Sequence, residues 1–171
     1  MPAVQTQSQP RAKKSAVRAQ APDAITLLKN DHRQVEEWFE EFGTTSAKAK
    51  KQKLAEQICT ALKVHTEIEE EIFYPAFREA GIEEDLMDEA DIEHDSAKKL
   101  IAEIEAGAPG DDHYDARVKV LSEMIKHHVK EEEQRDGMFA KAKKADLDLE
   151  ELGQQLQARK DELMKAMKRR Q

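Results

Sequence analysis

Cysteine is nearly missing from this chain. Cys59 stands alone, so no disulfide can form within the chain. Its place beside Ile58 and Leu62 on an apolar stripe fits a buried, inert thiol. Glycine and proline are scarce, with six and five residues, and aromatics make up 5%. Stretches that alternate apolar and polar residues are few, which argues against half-buried strands. No apolar run approaches a membrane span or the core of a signal peptide, so the expectation is a soluble, cytoplasmic protein without a membrane partner. What fills the sequence instead is Ala, Leu, Glu, Lys, Gln and Met, the good helix formers. An all-α fold follows, and 171 residues suffice for one domain with a core.

The net charge is −8, from 28 basic and 36 acidic side chains. Residues 1–20 carry Arg11, Lys13, Lys14 and Arg18 and no acid, so the remainder bears −12. A body this acidic repels nucleic-acid phosphate, and no nucleic-acid partner is expected. Segment 1–21, with little to bury, reads as a disordered basic tail, or alternatively as an organelle-targeting peptide.

Apolar residues then recur at steps of three and four in four long runs. Asp23 caps the first, whose stripe is Ile25, Leu28, His32, Val35, Phe39 and Phe42. The second runs from about Ala47 to Phe77 through Leu54, Ile58, Leu62, His65 and Glu69, with Pro75 set to kink or loosen its last turn. The third, from about Glu83 to Glu105, aligns Met87, Ala90, His94, Ala97, Ile101 and Ile104. The fourth, from about Asp112 to Lys143, aligns Val118, Leu121, Ile125, His128, Glu132 and Phe139, and Gly137 is positioned to interrupt it. Short turns predict antiparallel neighbours and an up-down-up-down four-helix bundle over 22–144. Residues 145–171 add an amphipathic C-terminal helix with Asp148 as cap. Its face of Leu149, Leu152, Leu156 and Leu163 is expected to cover the bundle or a second subunit.

Six polar residues interrupt the stripes: His32, His65, Glu69, His94, His128 and Glu132. A single core histidine is ordinarily hydrogen-bonded and structural. These six, however, lie nine to fifteen residues from the same end of an antiparallel bundle. At 1.5 Å per residue that is one layer, roughly 14–22 Å deep. His65 and Glu69 share a helix face, as do His128 and Glu132. The order His…His-x-x-x-Glu occurs twice, with gaps of 33 and 34 residues, as in a duplicated helix pair. Four imidazoles and two carboxylates suit two cations; iron, manganese and zinc all accept such ligands. The Glu-x-x-His spacing of ferritin-like proteins and the His-Glu-x-x-His of zinc proteases are both absent. His127 lies on a rival line with Val120, Met124 and Glu131. His128 is favoured because Leu121 and Ile125 continue its face, which leaves His127 at the surface or behind a ligand. His113 reads as an exposed turn residue, Trp38 has no assigned role, and Phe39 and Phe73 are expected beside the site.

The fragments Asn30-Asp31-His32, His65-Thr-Glu-Ile-Glu69-Glu70-Glu71-Ile-Phe73-Tyr-Pro75, Glu93-His94 and His127-His128-Val-Lys-Glu131-Glu132-Glu133 resemble the bacterial type of the hemerythrin-like HHE cation-binding family, over about residues 24–142. The resemblance implies two non-haem irons ligated by His32, His65, Glu69, His94, His128 and Glu132. Both glutamates and an oxo or hydroxo group would bridge them; manganese or zinc are the other candidates. It also implies dioxygen, nitric oxide or peroxide as small-molecule ligand; with no further cysteine for redox cycling an electron donor would come from outside, and a monomer or homodimer is expected. The chain departs from oxygen carriers at Ala90, where they place a further histidine. One iron would then have fewer protein ligands. Three functions stay open: a protein that binds, stores or senses dioxygen or nitric oxide; an enzyme acting on peroxide or nitric oxide, or in iron–sulfur cluster repair; and a metal-free structural bundle.

Overall fold

The computed structural model describes residues 21–169, so nearly all of the N-terminal tail 1–21 lies outside the described residues. Among these residues the regular structure is helical throughout. Helix α1 spans Ala24–Thr44, and the Asp23 side chain caps it by accepting from the Thr26 N–H at 3.0 Å. Helix α2 spans Lys48–Ile68, followed by a π-helical turn Glu69–Phe73 and a short α3, Tyr74–Glu79. Helices α4, α5, α6 and α7 are Glu84–Glu105, Tyr114–Glu133, Met138–Lys144 and Leu149–Lys168. Asp148 caps α7, accepting from Glu151 N–H at 2.9 Å.

Helices α1, α2, α4 and α5 contact one another in a closed ring, α1 on α2, α2 on α4, α4 on α5 and α5 on α1. That is the expected four-helix bundle. Helix α7 packs against α1, α2 and the π-turn, and buries Leu156 and Leu163 in the same core as Leu28, Ile68, Phe77 and Met87. Its leucine face therefore covers this bundle. Cys59 is buried as expected, and burial pushes its thiol up to about 12.

Two expected helices are divided. The second does not run unbroken to Phe77, because Pro75 has no N–H to donate and the ladder shifts just before it. The Tyr74 N–H donates to the Glu69 carbonyl, five residues back, which makes the π-turn. The fourth ends at Glu133, where Gln134 turns extended (φ −62°, ψ 165°), and α6 restarts after Gly137. A Cβ on Gly137 would lie 2.3 Å from the Glu131 carbonyl oxygen and 2.8 Å from that of Glu132. The turn thus folds back on α5 more closely than any side chain permits.

Gly153 has the same function on α7. A Cβ there would meet the Pro22 carbonyl at 2.2 Å and the Ala24 nitrogen at 2.8 Å, both backbone atoms. Gly153→Ala therefore pushes α7 off the start of α1. A loss of about 1–3 kcal/mol is expected, as for other overpacked sites. A thermal melt checks it, since each kcal/mol moves the midpoint about 2–4 °C in a chain of this size. An unchanged midpoint would contradict the packing.

The apolar interior forms two clusters. One holds Val35, Phe39, Phe42, Leu54, Ile58, Leu62, Ile101, Leu121 and Ile125; the other holds Leu28, Ile68, Phe73, Phe77, Met87, Met138 and Phe139. His32 follows Leu28 and precedes Val35, and His65 likewise lies between Leu62 and Ile68. A polar layer separates the two clusters.

Candidate metal centre

All six singled-out residues enter that layer, and each is at most 6% exposed. The His32 and His65 Nε2 atoms lie 3.1 Å apart, and those of His94 and His128 3.2 Å apart. Two nitrogens bound to one cation at 2.0–2.1 Å would be separated by about 3.0–3.4 Å. Glu69 directs Oε1 to His65 Nε2 at 3.1 Å and Oε2 to His94 Nε2 at 3.4 Å. Glu132 directs Oε2 to His32 Nε2 at 3.3 Å and Oε1 to His128 Nε2 at 3.5 Å. Each carboxylate thus reaches both imidazole pairs. Glu69 Oε1 and Glu132 Oε2 have no aligned hydrogen-bond donor, although both are buried. Buried acceptors of this kind are costly unless a cation or a donor meets them. Two groups here have metal-ligand geometry: His32, His65, Glu69 and Glu132, and, one residue smaller, Glu69, His94 and His128.

The outward nitrogens are also held. Each imidazole Nδ1 faces a carboxylate from another helix: Glu133 for His32 at 2.7 Å, Asp31 for His65 at 3.4 Å, Glu70 for His94 at 2.9 Å and Glu93 for His128 at 2.6 Å. The contacts close a ring. Helix α1 serves α2, the π-turn serves α4, α4 serves α5, and α5 serves α1. A carboxylate on Nδ1 fixes that proton and turns the Nε2 lone pair inward, the arrangement common behind metal-bound histidines.

Electrostatics follow from this crowding. Burial disfavours charge on His65, but Glu69 and Asp31 outweigh it and hold the ring up to about 10. His128 is likewise raised, against burial, by Glu132 and Glu93. Burial opposes ionisation of Glu132 as well, and His128 and His32 overcome it, so this carboxyl stays well below its usual range. His32 and His94 are pushed the same way as their partners. Facing Nε2 atoms about 3 Å apart cannot both carry protons, so one ring of each pair holds the extra proton.

Tyr74 is the residue that periodicity did not reveal. Its hydroxyl lies 3.2 Å from Glu132 Oε1 and 3.4 Å from both Glu69 Oε2 and His94 Nε2. Its ring stacks on His94, and burial, with both carboxylates, pushes its pKa well above the ordinary value. Five residues on from Glu69 is about 140° round an α-helix, off the stripe; the π-turn brings it back. Pro75 was the available signal. The ring stacked on His32 is Phe139, at 5.9 Å and 6°. Phe73 instead meets Phe139 edge-on, and Phe39 lies in the cluster of Val35, Leu62 and Ile125. His127 faces solvent, and His113 is exposed in the turn before α5.

The chain matches the family described as the hemerythrin HHE cation-binding domain over residues 23–142. It belongs to that family. As a member it is a cation-binding helical bundle, and the buried imidazoles and carboxylates are candidates to hold the cation. A hemerythrin HHE cation-binding domain-containing protein from Mycobacterium kansasii has the same fold, with a TM-score of 0.71, 22% identity, and coverage of 85% of this chain and 89% of its own. A DNA nickase from Nostoc sp. is 32% identical over 107 residues, 63% of this HHE chain. The match covers 30% of the nickase, so most of that protein has no counterpart here. Among the described residues, no helix of this HHE protein is long and apolar enough to cross a membrane.

Proposed function

We propose that His32, His65, Glu69, His94, His128 and Glu132 ligate two non-haem irons, both glutamates bridging, and that the protein binds dioxygen or nitric oxide there. The observation that carries this reading is the pair of glutamates, each with one oxygen toward each imidazole pair and one oxygen lacking a donor. Imidazole and carboxylate ligands suit iron, which supplies electrons and open positions to a small oxidant. The chain supplies the enclosure. A cavity of about 20 Å³ adjoins all four imidazoles and is otherwise walled mainly by Val35, Leu62, Ile125 and Val129. That is room for about one water-sized molecule, and its apolar wall favours a neutral one.

Metal analysis and an optical spectrum of protein purified in air test the assignment. Two irons per chain with near-ultraviolet oxo-to-iron bands, altered by reduction and nitric oxide, are expected. A protein that folds with all six residues intact yet retains no metal would overturn it.

Tyr74 favours a second reading, turnover of peroxide. Its buried O–H is placed to deliver a proton beside Glu69, Glu132 and His94. On that reading Tyr74→Phe keeps the metal content and slows peroxide consumption about a hundredfold, the lower range for a positioned proton donor. Equal rates in the two proteins would retire it.

A further inference from the structure

Three of the four outer carboxylates are neutralised by permanent cations: Glu133 by Arg33 at 2.6 Å, Glu70 by Lys98 at 2.6 Å, and Asp31 by Lys160. Glu93 is the exception. Among the described residues its charged partners are both imidazoles, the buried His128 on Oε2 and the exposed His127 on Oε1 at 3.4 Å. The same His127 Nε2 lies 3.2 Å from Glu131 Oε1. One imidazole nitrogen and two carboxylate oxygens therefore converge within 4.8 Å at the surface. A cation held tetrahedrally by such ligands would separate them by about 3.3–3.6 Å.

Two of the triad, Glu93 and His127, also line a groove. This groove of about 160 Å³ runs between α4 and α5, walled by Ile92, Met124 and Ile125, and touches the buried His94 and His128 as well. Ile92 at its rim is 68% exposed. Glu93 spans the distance itself, with one oxygen at the triad and the other 2.6 Å from the outward nitrogen of His128. A hydrated cation bound for a layer this buried must exchange water for protein ligands on the way, and two carboxylates at the rim that no lysine or arginine holds gather cations there.

We infer that Glu93, His127 and Glu131 form a loading site that captures a divalent transition-metal cation at the surface and passes it along the groove to the buried centre. This rests on the reading that the buried residues hold cations. The site is transient by construction, with three protein ligands, open to water and shared with His128.

The test is stopped-flow loading of the chelator-stripped full chain with Co²⁺, followed by its visible bands, in wild type, Glu131→Gln and His127→Ala. Glu123→Gln, which removes an exposed carboxylate of the same helix outside the triad, is the control. Both triad variants are expected to reach the wild-type final occupancy, with filling slowed about tenfold, the lower end for a charged cleft that concentrates its ligand. The control should fill at the wild-type rate. Wild-type rates in both triad variants would overturn the inference, as would equal slowing in the control. A wild-type chain that takes no cation into the buried centre would instead overturn the ligand assignment, and the loading site with it.

Discussion

Glu132→Gln should leave the protein unable to hold two tightly bound cations, and Glu69→Gln should do the same. Each carboxylate has one oxygen toward each imidazole pair. An amide keeps the shape but offers a single oxygen and no charge, so it serves one side of the centre. The two cations would then face each other with one bridging charge fewer, in a layer that water barely reaches. Affinity for the second cation is expected to fall on the order of a hundredfold or more, beyond the usual cost of disturbing a group behind a ligand. Elemental analysis after gel filtration against a weak chelator reads this directly. Two retained cations per chain in both variants would rule out bridging.

Cation uptake by the stripped protein should expel protons and strengthen steeply with pH. With its ring held up to about 10, His65 is protonated at neutral pH, and His128 is raised in the same direction. Only a neutral imidazole ligates, so both protons must leave. Apparent affinity should then rise about tenfold per pH unit for each proton displaced. Stability moves the opposite way in the stripped chain. What the charged imidazole of His65 contributes is fully present below about 6.5, its unfolded value, and is lost as pH climbs through about 10. The loaded protein should show no such loss in that window. Calorimetric titration in two buffers of different ionisation enthalpy counts the protons, and thermal melts follow the stability. A pH-independent affinity would contradict the paired charges.

The sequence disclosed the bundle because its helices are amphipathic and its turns short, so their faces and directions could be read locally. The same stripes exposed His32, His65, Glu69, His94, His128 and Glu132, since a polar residue on an apolar stripe is conspicuous and depth can be counted along a helix. Tyr74 was not legible because it depends on a change of helical period at Glu69–Phe73. The outer carboxylates Asp31, Glu70, Glu93 and Glu133 each adjoin a singled-out residue in the chain. Which imidazole each one meets is decided across helices, where periodicity is silent. Gly137 was legible as a break in pattern, but neither it nor Gly153 was legible as a point of close approach, because the atoms they admit belong to other segments.

The repeated His…His-x-x-x-Glu order makes the two halves of the site nearly alike, yet their surroundings are unequal. Behind His32 and His65 stand Arg33 and Lys160, two permanent positive charges, the second supplied by α7. Behind His94 and His128 stand Lys98 and an exposed imidazole. If two cations are held here as proposed, the more positive surroundings would lie on the His32–His65 side and would favour an electron there. The added C-terminal helix thereby gives the two sides of a near-symmetric site unequal charge.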